Sequence, residues 1–315
     1  MTRRLGVVGE FRSSRRGALA LMTGTSSWLV ATALRASDEG APIRMAISES
    51  VMGDVNLNDA RAAMQIWMKR MRQQLNVVLD PKLFSTSQEI AERTRKGELD
   101  VVALNIVEYR PLADLFDPSQ VVSTAGAAGM EQYIILVKQS GGIRQLGDLK
   151  GRRLRVLKTS KMCVAPAWLA MVLEQGQHGA AEQFFGSVTA ETKFARVVLP
   201  VFFGQAEACL TTKRGFDLMC ELNPQVGRDL KVLVSSPPMV VDFYIFSRNY
   251  KSGNRARLLQ AFSDLRASQS GQQLASLFQL EELVSRDASC LASGLRILTA
   301  AERFRGRQGT GGQLG

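Results

Sequence analysis

The segment Thr159-Ser160-Lys161 places two hydroxyl groups and an ammonium group between a predicted strand, residues 154–157, and a predicted helix. The helix is expected to begin near Lys161 and to end at Gly176. The N-terminus of a helix presents unpaired N–H groups and the positive end of the helix dipole. These three residues are therefore predicted to bind an anion. An alternative is that Thr159 or Ser160 only caps the helix, as such residues commonly do.

Polar side chains also follow two strands predicted in the first third of the chain. Ser48 and Ser50 follow a strand at residues 43–47, and Asn105 ends a strand at residues 98–105. The segments between them are predicted in the order helix, strand and helix: residues 59–75, 76–79 and 88–96. Alternating strands and helices are typical of a parallel sheet, whose ligands lie beyond the carboxyl ends of the strands. Ser48, Ser50 and Asn105 are therefore predicted to face a ligand.

A strand predicted at residues 208–212 also ends in hydroxyls, those of Thr211 and Thr212. They are further candidates for ligand contacts, although threonine is also common in strands for its β-propensity alone. Further extended segments are predicted as follows: residues 194–199, 231–238 and 240–246. The glycine-rich tail, residues 306–315, is predicted to be disordered.

The basic charge is concentrated at the start of the chain. The 315 residues have a formal net charge of +11, and residues 1–36 contribute six arginines against one glutamate. Because nearly half of the excess lies there, the charge does not indicate a nucleic-acid partner. An apolar share of 45% and a length sufficient for two lobes are ordinary for a globular protein.

Residues 1–36 have the composition of an export signal. A basic segment ending in Arg15-Arg16 precedes a moderately apolar run and small residues, which predicts cleavage after Ala33 or Ala36. The paired arginines resemble those of a twin-arginine signal. A membrane anchor is the alternative, but the apolar run is interrupted and barely reaches spanning length. The mature protein is expected to be periplasmic.

The cysteines and the single histidine argue against an enzyme. Cys163, Cys209, Cys220 and Cys290 include no CxxC pair, and the sequence leaves their disulfide pairing open. His178 is the only histidine, so neither a histidine-based metal site nor a Ser-His-Asp triad is expected, and it is interpreted as a solvated loop residue. Cys163 is a possible nucleophile near a helix start, although a buried structural cysteine is the simpler interpretation.

Three motifs occur in a characteristic order: residues 97–101 before a strand, residues 143–154 before the predicted anion site, and residues 203–208 before the later strand. Their order and spacing resemble the type 2 periplasmic solute-binding proteins. The resemblance covers residues 42–280 and is greatest to the branch that serves phosphate, phosphite or phosphonate uptake by ABC transporters.

The resemblance implies an α/β fold with two lobes, each a mostly parallel sheet flanked by helices, and a ligand cleft between them. Residues 42–128 and 240–300 would form the first lobe and residues 129–239 the second, with a hinge near residues 129–133 and 239–244. The implied ligand contacts are Ser48, Ser50, Asn105, Thr159, Ser160, Lys161, Thr211 and Thr212. The resemblance implies no cofactor, metal or catalytic residue.

The expected function is capture of a small anionic, phosphate- or phosphonate-like solute for the permease of an ABC transporter. One alternative is a periplasmic ligand sensor that partners a membrane histidine kinase. The other is an enzyme on the same fold, which the lone histidine and the absence of GxSxG, P-loop and metal-spacing motifs argue against.

Overall fold

The strands form two sheets in the computed structural model, which describes residues 41–53, 56–126, 129–278 and 280–310. The leader predicted at residues 1–36 lies outside the described residues. The first sheet contains β1 (Ile43–Ser48), β2 (Leu79–Phe84), β3 (Val101–Asn105), β4 (Phe116–Thr124), β10 (Asp242–Ser247) and β11 (Leu283–Arg286). The second contains β5 (Tyr133–Lys138), β6 (Arg153–Leu157), β7 (Ser187–Glu191), β8 (Ala208–Thr212) and β9 (Leu230–Ser235).

The chain leaves the first sheet after β4, builds the second, and returns in β10 and β11. Among the described residues the strand orders are β11-β4-β10-β3-β1-β2 and β7-β6-β8-β5-β9. β1 pairs in parallel with β2 and β3, and β6 with β7 and β8, whereas the other pairs are antiparallel. With the flanking helices this confirms the two-lobed α/β class. The sheets are mixed, however, and not mostly parallel as the resemblance implies. We call each sheet with its helices the first and the second lobe.

The helices lie on the faces of the sheets. The α-helices in the described ranges are α1 (Leu57–Leu75), α2 (Ser87–Arg95), α3 (Ile106–Tyr109), α4 (Ala165–Gln175), α5 (Ala181–Phe184), α6 (Phe194–Phe202), α7 (Lys213–Leu222), α8 (Pro224–Asp229), α9 (Asn254–Ser263), α10 (Gln269–Leu277) and α11 (Ala292–Thr310). α11 extends as far as Thr310, into the tail that the sequence predicts to be disordered from residue 306. Residues 311–315 lie outside the described residues.

The first sheet separates two apolar layers. Met45, Ile47 and Ala103 point into a layer formed with α1, α9 and α10, whereas Ala46 and Val102 point into the layer on the opposite face. This division follows from the period-two alternation of side chains along a strand. Every residue of β3 is buried, as expected of a central strand covered on both faces.

Two predicted strands have different positions or conformations in the structure. Asn76, placed in a strand at residues 76–79, instead ends α1 with a left-handed φ of 50°, which asparagine tolerates. The strand begins at Leu79 and includes Pro81, which is accommodated because β2 lies at the edge of the sheet. Residues 194–199, also predicted as a strand, belong to α6, because Val197, Val198 and Val201 share a buried helical face.

The last helix, α11, connects the lobes. It packs along α4 of the second lobe and also approaches α3 of the first lobe, where Gly294 lies close to Ile106. Its apolar side chains Ile297, Leu298 and Ala301 are buried in this position. Within the described residues, no helix has the combined length and hydropathy that crossing a bilayer requires.

Candidate ligand-binding cleft

Three predicted ligand contacts of the first lobe lie together. Ser48 and Asn105 end the parallel strands β1 and β3, so they reach the same edge of the sheet, and Ser50 lies in the turn after β1. The Asn105 side-chain amide donates a hydrogen bond to the Ser50 hydroxyl at 2.9 Å. The hydroxyls of Ser48 and Ser50 are 3.0 Å apart. The structure therefore brings Ser48, Ser50 and Asn105 into one hydrogen-bonded cluster.

The centre of this cluster is Glu108, which the sequence analysis missed. Its carboxylate accepts a hydrogen bond from the Ser48 hydroxyl at 2.8 Å and another from the Ser50 hydroxyl at 2.7 Å. The Asn105 N–H also donates to this carboxylate, at 3.3 Å, and the Asn105 side chain in turn caps α3. Asn105 and Glu108 form a capping box, a spacing that is visible in the sequence.

Glu108 accepts the hydroxyl hydrogens of both serines. A hydroxyl has one hydrogen to donate, and those of Ser48 and Ser50 both point at the Glu108 carboxylate. Both hydroxyl groups are therefore engaged within the cluster, and Ser48 is almost completely buried.

The turn at Thr159 to Lys161 is not the start of the long helix. Ser160–Met162 form one turn of 3-10 helix, and α4 begins only at Ala165. Pro166 lies in the first turn of α4, a position that proline favours and that fixes the helix start. The prediction of a helix beginning near Lys161 is therefore wrong, and so is the alternative that Thr159 or Ser160 caps it by its side chain.

Tyr133 holds this turn in place. Its hydroxyl donates to the Lys161 carbonyl oxygen at 2.8 Å and accepts from the Val164 N–H at 3.3 Å. The ring of Tyr133 is fully buried at the start of β5, against Trp168. Backbone groups that would otherwise need a cap are thus satisfied by Tyr133, and the hydroxyls of Thr159 and Ser160 stay available to the cleft.

Lys161 reaches from the second lobe to Asp242 of the first. The Lys161 ammonium lies 2.6 Å from Asp242 Oδ2, and the Asp242 side chain is only 15% exposed against 51% for Lys161. Asp242 is the first residue of β10 and faces Asn105 across the sheet. The other carboxylate oxygen, Oδ1, is buried and has no hydrogen-bond partner among the described residues. An acceptor of this kind calls for a donor from a ligand or from water.

Burial and neighbouring charges together raise the pKa values of Asp242, Lys161 and Glu131. Burial raises the pKa of Asp242, Lys161 opposes this, and repulsion from Glu108 adds to it. Partial desolvation lowers the pKa of Lys161, but attraction to Asp242 outweighs this and the net pKa is raised. Burial also raises the pKa of Glu131, and Asp242 again adds to the rise. The cleft thus combines one ammonium with three carboxyl groups.

A cavity opens from this point into the first lobe. It has a volume of about 520 Å³ and is lined at its mouth by Thr159, Ser160, Lys161 and Asp242. From there it extends between the first sheet and the helices α1, α9 and α10, where its walls are largely apolar. The cavity could not be predicted from the sequence, because its shape depends on how the helices pack on β1 and β3.

The amino-acid sequence matches a known protein family. A sequence model of the family described as the phosphonate periplasmic substrate-binding protein of ABC transporters matches residues 51–290, most of the chain. The chain belongs to this phosphonate-binding family. Membership confirms the resemblance noted in the sequence, and it confirms that the chain is a solute-binding protein of an ABC transporter and not an enzyme.

Solved structures show the same fold as this family member. XAC2383 from Xanthomonas citri, bound to ATP, has a TM-score of 0.58 at 12% identity and covers 84% of this chain and 98% of its own. PhnD1 from Prochlorococcus marinus, in complex with methylphosphonate, has a TM-score of 0.51 at 14% identity, with coverages of 84% and 98%. A binding protein of an ABC phosphonate transporter from Pseudomonas aeruginosa has a TM-score of 0.50 at 13% identity, with coverages of 86% and 99%. No curated protein matches the chain by sequence.

The remaining predicted contacts of this phosphonate-family chain, Thr211 and Thr212, end β8 in the second lobe. Thr212 caps α7 by accepting a hydrogen bond from the Gly215 N–H at 3.2 Å. Thr211 is fully buried, and its hydroxyl has no partner among the described residues. Of the predicted contacts, Thr159, Ser160 and Lys161 line the cavity described above. The others do not: Ser48, Ser50, Asn105, Thr211 and Thr212.

The four cysteines and His178 are all buried or half-buried. All four cysteines are free. Burial raises the pKa of the half-buried Cys163 thiol well above its usual range, which disfavours the thiolate form that a nucleophile requires. His178 is half-buried with its ring 4.8 Å from that of Phe184, which corrects its interpretation as a solvated residue. In the described ranges, no group of His, Cys, Asp and Glu is arranged to hold a metal ion.

Proposed function

We propose that this protein is exported to the periplasm, captures a small phosphonate-like solute between its two lobes, and delivers it to the permease of an ABC transporter. Family membership supports the transport role. The observation that carries the ligand class is the pair formed by Lys161 and Asp242. One member comes from each lobe, and the pair lies beside the hydroxyls of Thr159 and Ser160.

The pair offers a partner to each part of a singly protonated phosphonate. An anionic oxygen accepts from the Lys161 ammonium and from the hydroxyls of Thr159 and Ser160. The P–OH group donates to the buried and unpartnered Oδ1 of Asp242. Hydrogen bonds to charged groups contribute about 1.5–3 kcal/mol each, and micromolar binding requires about 8 kcal/mol, so three or more such bonds are sufficient.

The carboxyl groups around the cleft explain why a protonated oxyanion is favoured. Phosphate and phosphonate groups titrate close to neutral pH, since the second pKa of phosphate esters is about 6, so a singly protonated form is available for binding. Sulfate has no such proton and would face the Asp242 carboxylate with oxygen acceptors alone. We infer that the protein selects phosphonates and phosphate over sulfate.

Closure of the lobes would bring the two halves of the site together. We propose that the hinge lies in the segments 129–133 and 239–244, where Glu131 and Met239 pair through two backbone hydrogen bonds of 2.8 and 2.9 Å. The boundaries of the lobes then fall at residues 42–128 and 240–300 for the first and 129–239 for the second.

The test is a thermal-shift screen followed by calorimetry with methylphosphonate, phosphate, phosphite, sulfate and acetate. Ligands that bind only the folded state raise the melting temperature by mass action. We expect shifts with the phosphorus oxyanions and none with sulfate or acetate. Binding of sulfate as tight as that of methylphosphonate would contradict the proposed ligand class.

The proposed partner is tested with the permease. Liganded protein is expected to stimulate ATP hydrolysis by the reconstituted transporter, whereas ligand alone is not. Ligand binding without stimulation, together with ligand-dependent association with a membrane histidine kinase, would instead favour a sensor. Recovery of the mature chain in the periplasmic fraction tests the predicted leader and its cleavage after Ala33 or Ala36.

A further inference from the structure

The cavity that opens from the cleft is much larger than an oxyanion head requires. Its volume is about 520 Å³, whereas a water molecule takes up about 30 Å³ of liquid volume. Pockets for organic ligands measure roughly 300–1,000 Å³. The cavity thus has the size of a site for an organic molecule with a substantial body.

Most of the side chains that line the cavity away from Lys161 and Asp242 are apolar, and the polar exceptions include Asn56, Ser123 and Thr124. The sheet contributes Met45, Ile47 and Ala103, and the helices contribute Trp67 and Phe262. Among the described residues that line it, Lys161 and Asp242 are the only charged ones, and both lie at the mouth. The cavity therefore combines one charged pair with walls that are mostly apolar.

This division of polarity matches an amphipathic small molecule. Protein interiors pack at nearly the density of organic crystals, and a cavity within a core lowers stability in proportion to its size. The cavity lies between a sheet and three helices, where larger side chains at Ala103 or Leu277 would fill it. A cavity that is left open at a cost in stability indicates a ligand whose apolar part occupies that space.

We propose that the cavity receives the apolar substituent of an organophosphonate, such as a hexyl chain or a phenyl ring, while the phosphonate head is held at Lys161 and Asp242. The proposal rests on the proposed function, because it deepens the description of the same site. The head fixes the ligand at the cleft, and the apolar walls favour an alkyl or aryl body over a methyl group.

The experiment measures dissociation constants by calorimetry for methyl-, butyl-, hexyl- and phenylphosphonate, with hexylamine and hexan-1-ol as compounds that lack the head. Burial of one methylene strengthens binding roughly fourfold at most. Hexylphosphonate is therefore expected to bind at least about fiftyfold more tightly than methylphosphonate, allowing for incomplete burial.

Two cavity-filling variants locate the substituent. Ala103→Leu adds bulk from the sheet and Leu277→Phe adds bulk from α10, whereas Leu222→Phe, at a position 81% exposed, is the matched control. The filling variants are expected to weaken hexylphosphonate at least about tenfold and to leave methylphosphonate within about threefold. Retained binding of methylphosphonate also shows that each variant is folded.

The outcomes separate this inference from the proposed function. Equal affinities for all phosphonates, or variants that weaken methyl- and hexylphosphonate alike, would overturn the cavity's role and leave the proposed function intact. Binding of hexylamine or hexan-1-ol without binding of any phosphonate would overturn both. A rise in affinity with chain length that is lost in either filling variant would support the inference.

Discussion

Lys161 Nζ lies 2.6 Å from Asp242 Oδ2, and this ion pair joins the turn after β6 in the second lobe to the start of β10 in the first. The backbone position of Asp242 is fixed by the pairing of β10 with β3, in which Asp242 lies opposite Asn105. Lys161 is held by the hydrogen bond from Tyr133 to its carbonyl oxygen. The two charges are therefore positioned independently, and in the proposed site both would contact a ligand bound between the lobes.

The first prediction concerns Asp242→Asn. The amide keeps the shape of the side chain but replaces a carboxylate acceptor that faces the protonated oxygen of the ligand. We expect the ratio of sulfate to methylphosphonate dissociation constants to fall at least about tenfold, because a charge-assisted hydrogen bond contributes about 1.5–3 kcal/mol. Calorimetry with both anions measures this ratio. An unchanged ratio would show that Asp242 does not discriminate between protonated and unprotonated anions.

The second prediction concerns the donors of the second lobe. Lys161→Ala is expected to weaken methylphosphonate binding about 10- to 100-fold, and Ser160→Ala and Thr159→Ala less, without unfolding the protein. Lys158→Ala, which removes an exposed ammonium of the same segment, is the control. Unchanged affinity in all three site variants would remove Thr159 to Lys161 from the binding site.

The edge of the first lobe could be predicted from the sequence because it follows from topology. Ser48 and Asn105 were placed together since parallel strands end at the same edge of a sheet. Glu108 was missed although its spacing from Asn105 is that of a capping box. A capping box indicates a helix start, whereas the contacts of Glu108 with Ser48 and Ser50 come from residues nearly sixty positions away.

The second lobe shows where local patterns are insufficient. Thr159 and Ser160 resemble helix caps, but α4 begins only at Ala165, with Pro166 in its first turn. The turn before it is held by the hydrogen bond from the Tyr133 hydroxyl to the Lys161 carbonyl oxygen. The pairing of Lys161 with Asp242 likewise depends on the relative placement of two lobes. Such contacts are set by packing over long sequence distances, so no local pattern reports them.

The third prediction concerns the carboxylate that organises the serines. Glu108→Ala removes the acceptor for two hydroxyls and for the Asn105 N–H, and should lower the free energy of unfolding by about 1–3 kcal/mol. Val107→Ala, at an exposed neighbouring position, should have little effect. Urea unfolding of both variants measures the difference. Equal stability of the two variants would contradict a structural role for Glu108.

The fourth prediction concerns Tyr133→Phe, which removes only the hydroxyl that holds the turn. The Lys161 carbonyl oxygen and the Val164 N–H lose their partner, so we expect a loss of about 1–3 kcal/mol in unfolding free energy. Because the turn also positions Lys161, methylphosphonate should bind more weakly. The informative result is the affinity, since a loss of stability alone, with unchanged affinity, would show that Tyr133 does not position the ligand site.

The fifth prediction concerns acid stability and Asp117 in the first lobe. Hydrogen bonds from the Ser119 hydroxyl and N–H, and the Arg255 guanidinium at 2.8 Å, lower the pKa of Asp117 to about 2. A pKa below the unfolded value of about 3.9 means that ionised Asp117 stabilises the fold by about 2 kcal/mol above pH 4. This contribution is lost as the pH falls from about 4 to about 2.

Asp117→Asn tests this dependence, with Asp114→Asn, at an exposed position of the same segment, as the control. At pH 7 the Asp117 variant should be about 2 kcal/mol less stable than the unaltered protein in urea unfolding, and near pH 2 the two stabilities should converge. Convergence is the decisive sign, because a loss of packing alone would lower stability equally at both pH values. A difference that stays constant between pH 7 and pH 2 would therefore rule out the ion pair with Arg255 and the Ser119 hydrogen bonds as its source.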